Sequence, residues 1–309
     1  MKILITGGLG FQGSHLAEHF QKAGHEVTVL NTISDRAIEI WKKMPKGMTC
    51  VWGSITDKEL VKKTIRDHDV IFHLAARINV DESIKDPAAY LDVNIYGTYN
   101  VLEAVREYGN RLIHASTCEV YGAPEQHLLI KEDAEMRPHS PYAASKAGAD
   151  RLCFAYYKTY GLDVTMARPF NIYGERQKEK GGGAAIAIFV KRILDGQPIV
   201  IFGDGLQTRD YMNIDDLVQA YDLLLKHDGT AGEVFNFGTG VETSIKHIAE
   251  HIAEKMNGKI EYQEPRPGEV KSFIGGDITK SKSRLGFLPK VGIWDGIDRY
   301  ITWRLTQNK

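Results

Sequence analysis

The chain has 309 residues, 43% of them apolar and 26% charged, with a net charge of -1, the make-up of an ordinary soluble globular protein. That charge leaves no basic field for nucleic acid or anionic lipid, and the longest apolar runs, such as Ile3 to Ile5 and Val70 to Phe72, fall far short of the about 20 residues that span a bilayer. Three scattered cysteines (Cys50, Cys118, Cys153) exclude a disulfide framework or a clustered zinc site, and the chain opens directly on Lys2-Ile3-Leu4-Ile5-Thr6 with no basic, apolar export signal, so a cytoplasmic protein without metal, nucleic acid or membrane partner is expected.

Strand-like runs at 2–6, 26–30, 49–52, 69–74 and 110–115 alternate with helical spacing at 13–24, 57–67, 84–107 and 141–160, and 164–168 reads as a further core strand. Such alternation predicts an α/β fold, a doubly wound parallel sheet. Beyond residue 170 the regularity breaks into a Gly181-Gly182-Gly183 loop, a helix at 184–195 and short strands at 198–202, 209–213 and 233–237. The expected organisation is therefore a Rossmann domain over 1–170 and a smaller mixed α/β substrate-binding cap over most of 171–309, with the chain returning to the first domain from its C-terminal half.

Between the first strand and the first helix lies Gly7-Gly8-Leu9-Gly10-Phe11-Gln12-Gly13. Glycines there permit a tight turn and close backbone approach to a pyrophosphate, which the free N–H groups and dipole of the helix N-terminus favour. The three-residue spacing of Gly7, Gly10 and Gly13 is similar to the short-chain dehydrogenase form of the loop. Asn31 replaces the acid that usually meets the adenosine ribose at the end of the second strand; an amide still bonds a ribose hydroxyl, and Arg36 could pair with a 2′-phosphate. NAD is the expected cofactor, NADP the alternative.

Further on, Tyr142-Ala143-Ala144-Ser145-Lys146 puts a phenol and an ammonium on one helix face, where the cation and the cofactor's positive nicotinamide would favour the phenolate. The strand at 110–115 runs into Ser116-Thr117-Cys118-Glu119, at the carboxyl end where open α/β sheets hold ligands. Thr117 could bond a substrate hydroxyl, Glu119 could transfer a proton and Cys118 could donate one.

Over essentially its whole length the chain resembles the NAD-dependent epimerase/dehydratase family of sugar-nucleotide enzymes. The likeness rests on the glycine loop, His73-Leu74-Ala75-Ala76, Asn94-Ile95-Tyr96-Gly97-Thr98, Ser116 to Gly122, Ser140 to Lys146, Arg168-Pro169-Phe170-Asn171-Ile172-Tyr173-Gly174 and Phe202 to Tyr211. The resemblance implies a hydride-transfer triad of Thr117, Tyr142 and Lys146, a cofactor site lined by Phe11, Gln12, Ser54, Ile55, Leu74, Ala75 and Ala76, and sugar-nucleotide ligands Asn171, Arg209 and Arg266. It also implies a homodimer. Simple 4-epimerases of the family have small residues after the triad Ser or Thr, whereas this chain has Cys118-Glu119, similar to 4,6-dehydratases, to some nucleotide-glucuronate decarboxylases and, through Thr-Cys-Glu, to a hexosamine 5,6-dehydratase. The expected activity is dehydration of a nucleotide-diphosphate sugar after transient oxidation at C4, with 4-epimerisation, decarboxylation and cofactor sensing without turnover as the other readings.

Overall fold

Seven parallel strands run through the centre of the molecule in the order Val234–Phe237, Val164–Pro169, Arg111–Ala115, Val70–His73, Lys2–Thr6, Glu26–Asn31 and Thr49–Trp52. The structure is a computed structural model and describes residues 1–179, 184–265 and 271–307. The inner strands form from continuous aliphatic runs because both their faces are covered: Ile3, Leu4 and Ile5 are all fully buried. Leu16 and Phe20 of helix Phe11–Lys22 pack one face together with Leu217 and Leu224 of helix Ile214–Lys226. Val61, Val101, Val105 and Tyr156, from helices Lys58–Ile65, Gly97–Tyr108 and Pro141–Tyr160, pack the other.

This is the doubly wound sheet expected from the alternation. The first strand pairs with the second on one side and the fourth on the other, so the strand order reverses there and the carboxyl ends open into a crevice. The run at 233–237 forms the sheet's outer strand, hydrogen-bonded in parallel to Val164–Pro169.

A second, mixed sheet is built on Thr208–Asn213, which pairs in parallel with Asn171–Tyr173 and Phe273–Gly276 and antiparallel with Glu242–Ser244. Leu129–Ile130 joins its edge, and Ile199–Phe202 pairs with Ile260–Gln263 nearby. Helices Ala185–Leu194, Ile245–Met256 and Ile293–Thr306 enclose a separate apolar cluster with Ile199, Ile201 and Tyr211. The predicted loop Gly181 to Gly183 lies outside the described residues.

One predicted element divides. The helix expected over 84–107 consists of Val80–Lys85, Pro87–Tyr90, a π-helical turn Leu91–Tyr96 and Gly97–Tyr108. Pro87 cannot supply a backbone N–H and ends the preceding turn, while Asp86 caps the next through Ala89 N. Among the described residues no helix is long and apolar enough to cross a membrane.

Candidate active site

At the end of the first strand the backbone turns left-handed at Gly7 (φ +71°), where a Cβ would lie 2.9 Å from the Ala75 backbone. A Cβ on Gly13 would lie 2.3 Å from the Gly7 carbonyl oxygen, so this glycine is required by helix–strand packing. Gly10 differs. Its φ of -77° suits any residue, and its Cβ would meet only the Gly7 oxygen at 3.0 Å. The chain itself asks little of Gly10, and the helix it opens has no side-chain cap there. Bare N–H groups beside a surface without a side chain fit a pyrophosphate.

Other cofactor candidates gather around this loop. Leu74 N and Ala75 N donate to Thr6 O and Thr6 Oγ1 at 3.1 and 3.2 Å, which holds the turn after the fourth strand against the first. Ala76 continues that turn, and Phe11 and Gln12 begin the helix. Ser54 and Ile55 follow the third strand, fixed by the Asn100 amide, which donates to Ile55 O at 3.0 Å. Asn31 accepts from Leu9 N at 3.1 Å and donates to Thr32 O at 2.9 Å, so much of its bonding capacity braces the glycine loop. Arg36, offered by the sequence as a partner for a 2′-phosphate, is half-buried and donates through Nη2 to the Arg176 carbonyl.

The π turn gives Asn94 a part that its motif alone did not reveal. Buried to 1% exposure, Asn94 accepts from Arg77 N at 2.8 Å and donates to Arg77 O at 3.0 Å and Ser145 Oγ at 2.8 Å. Ser145 Oγ donates in turn to Tyr142 O at 2.7 Å. Asn94 thus ties the loop after Ala76 to the helix that carries Tyr142. The available signal was a polar residue among apolar helical spacing, just after a helix-breaking proline; π turns recur at functional sites.

Helix Pro141–Tyr160 starts where it does because Ser140 accepts from Ala143 N at 3.1 Å, Pro141 takes the first position and Gly161 (φ +68°) ends it. Tyr142 in its first turn is 9% exposed, with its ring edge-on to Tyr90 at 6.4 Å. Opposite, Thr117 caps the short turn Cys118–Tyr121 by accepting from Glu119 N at 3.3 Å, and its hydroxyl favours the ionised Tyr142 oxygen. Lys146 Nζ donates to Ala115 O at 2.6 Å, and burial pushes its ammonium down to about 8. The chain's own groups do not make Tyr142 a phenolate: burial pushes the phenol up, the Glu119 charge adds to this, and the Thr117 hydroxyl opposes it.

Glu119 is half-buried, and desolvation raises its carboxyl against the opposing charges of Arg209 and His139, which suits a group that both takes and returns a proton. Cys118 is placed otherwise than its sequence position implies. Only 2% exposed, it packs with Val120, Tyr121, Ile130 and Phe170, and burial holds the thiol well above its usual range. A thiol shielded in this way packs as a small apolar group.

Two of the three substrate candidates come together on neighbouring strands. Asn171 begins a strand in register with Tyr211, two residues beyond Arg209, and its buried side-chain oxygen has no partner among the described residues. Arg209 is anchored through Nη1 to Thr208 O (2.7 Å) and Ser272 O (3.1 Å), and its charge reaches Glu119. Arg266 lies outside the described residues.

The family profile described as GDP-mannose 4,6 dehydratase matches residues 4–300. A putative UDP-glucose 4-epimerase of Methanocaldococcus jannaschii is 36% identical over 312 residues, 99% of each chain. The dTDP-glucose 4,6-dehydratase of Streptomyces niveus is 34% identical over 98% of this chain and 92% of its own. Among solved structures, the dTDP-glucose 4,6-dehydratase DesIV of Streptomyces venezuelae, crystallised with NAD, superimposes with a TM-score of 0.91 at 31% identity, covering 100% of this chain and 98% of that one.

Proposed function

The chain belongs to the NAD-dependent epimerase/dehydratase family of nucleotide-sugar enzymes, and we propose that it is a nucleotide-sugar dehydratase, most simply a 4,6-dehydratase. The observation that carries this is Glu119: a half-buried carboxyl, raised by desolvation, in the short turn that Thr117 caps, its charge felt by the Tyr142 phenol. The glycine cradle fits NAD, with Gly7, Gly10, Phe11, Gln12, Gly13, Asn31, Ser54, Ile55, Leu74, Ala75 and Ala76 around it. NAD, when bound, supplies a reversible hydride acceptor for the sugar carbon and a positive ring that favours the Tyr142 phenolate.

In this reading Asn171 and Arg209 bind the nucleotide diphosphate, for which an anchored guanidinium is suited. Tyr142 takes the proton from the sugar O4 as C4 is oxidised, steadied by Thr117 and Lys146. The new ketone acidifies the C5 hydrogen. Glu119 then removes that proton and passes it to the C6 hydroxyl, which leaves as water; return of the hydride to C6 and of a proton to C5, matching the one Tyr142 took from O4, gives a 4-keto-6-deoxy sugar and regenerates the side chains and the cofactor. Similarity to both epimerases and dehydratases makes 4-epimerisation the second reading, in which Glu119 has no proton to move.

Incubation with UDP-, GDP-, dTDP- and CDP-hexoses, followed by mass spectrometry, separates these outcomes. Dehydration appears as loss of water, epimerisation as an isomer of unchanged mass, and decarboxylation as loss of carbon dioxide from a uronate. Glu119→Gln should still reduce the cofactor but stall before C5 deprotonation, so that reduced-nicotinamide absorbance accumulates and C5 exchange with heavy water stops. An isomer of unchanged mass, formed equally by wild type and Glu119→Gln, overturns the dehydratase reading.

A further inference from the structure

Lys146 is faced by groups from three elements. On strands Val70–His73 and Arg111–Ala115 the rings of His73 and His114 are fully enclosed; burial pushes His73 down to about 3 and His114 well below its usual range, so both are neutral. His73 is bonded at both nitrogens, to Thr6 Oγ1 at 2.7 Å and Thr98 Oγ1 at 3.0 Å, while neither nitrogen of His114 has a partner among the described residues. On its own helix, Tyr142 lies one turn before Lys146, Asp150 one turn after and Cys153 a further turn on. Burial drives the Cys153 thiol far up and leaves it uncharged. Asp150 is therefore the anion of this set.

That carboxylate is fully buried and clamped. Arg168, itself 1% exposed, donates through Nε to Oδ2 at 2.9 Å and through Nη2 to Oδ1 at 3.0 Å. Arg151 Nε donates to Oδ1 at 3.1 Å from the solvent side. Burial alone pushes the Asp150 carboxyl up, but these bonds outweigh it and hold the group below its ordinary range. The third nitrogen of Arg168 donates to Tyr121 OH at 2.7 Å and Glu132 O at 3.0 Å, and Tyr121 OH donates to Asn236 Oδ1 at 2.7 Å. One fork thus joins the helix carrying Tyr142 and Lys146, the strand Val164–Pro169, the turn carrying Glu119 and the strand Val234–Phe237.

A buried ion pair adds little net stability over a well-packed apolar pair, so its place one turn from Lys146 asks for another explanation. We propose that Asp150 is a positioning residue: clamped by Arg168, its carboxylate keeps Lys146 in the ammonium form and fixes the catalytic helix against the Thr117–Tyr121 turn. The assignment of Lys146 to catalysis rests on the function proposed above; the Asp150–Lys146 coupling does not.

The test is a titration of the full chain labelled with ¹³C-lysine, following the Cε resonance that disappears in Lys146→Met. Opposite charges one helical turn apart are neighbours on the helix surface, and such a neighbour in a buried site shifts a titration by about one pH unit or more. Asp150→Asn should lower the Lys146 midpoint by that amount, and Asp150→Glu should keep it near wild type. Because a lone buried Arg168 threatens folding, the same step is repeated without it: Asp150→Asn/Arg168→Gln should have a lower Lys146 midpoint than Arg168→Gln alone. On a sugar nucleotide that wild type converts, Asp150→Asn should also move the alkaline limb of kcat/KM to lower pH with KM little changed. An unchanged Lys146 midpoint in a folded variant overturns the proposal. A displaced midpoint in a protein that converts no sugar nucleotide upholds it and rejects the function instead.

Discussion

Replacing Tyr142 by Phe should lower turnover by about 10²- to 10⁴-fold while leaving the fold and cofactor affinity in place. The ring is 9% exposed and its packing against Tyr90 is retained by phenylalanine, so the substitution removes only the oxygen. Thr117, the neighbour of that oxygen, keeps its bond from Glu119 N and is not stranded. The pH dependence follows from the same environment. Wild-type kcat/KM should fall towards acid as the Tyr142 oxygen, whose phenolate the bound nicotinamide favours against burial, takes up its proton; burial lowers Lys146 to about 8, so it should fall again in alkali as the supporting ammonium is lost. Steady-state rates across the pH range for both proteins, with thermal melting as a control, check this. Turnover within fivefold of wild type in Tyr142→Phe would mean that another group takes the O4 proton.

Gly10→Val should abolish NAD binding, weakening Kd by at least about 100-fold, or about 3 kcal/mol. The structure separates this from a folding defect. At Gly10 the φ of -77° accepts a branched residue and the nearest obstacle is one carbonyl oxygen 3.0 Å away, so the variant should melt close to wild type. At Gly13 the same oxygen would be 2.3 Å away, and Gly13→Val should lose stability even without cofactor. Fluorescence titration with NAD beside melting curves distinguishes the two positions. Undiminished affinity in a folded Gly10→Val would place the pyrophosphate elsewhere.

Much of the molecule was readable because its signals are local. Period and turn chemistry marked the parallel strands, the glycine loop between the first strand and helix, and the i, i+4 pairing of Tyr142 with Lys146; each depends on neighbours a few residues away. Continuous apolar runs also imply a sheet covered on both faces, which is how Ile3 to Ile5 are buried.

What required the tertiary structure depends on groups far apart in sequence. The apolar spacing across 84–107 is compatible with one helix, and only packing of the loop after Ala76 against helix Pro141–Tyr160 accounts for a π turn that points Asn94 inward. Cys118 reads as a proton donor beside Glu119, and its enclosure by Phe170, Ile130 and Ile274 is visible only in the fold. Nothing near Arg36 in sequence foretells that the Arg176 carbonyl, 140 residues away, accepts from it. The state of Tyr142, Glu119 and Lys146 is likewise set by enclosure. Desolvation acts through whatever surrounds a charge in space, and the sequence by itself identifies the ionisable groups of this site but not the depth at which each is held.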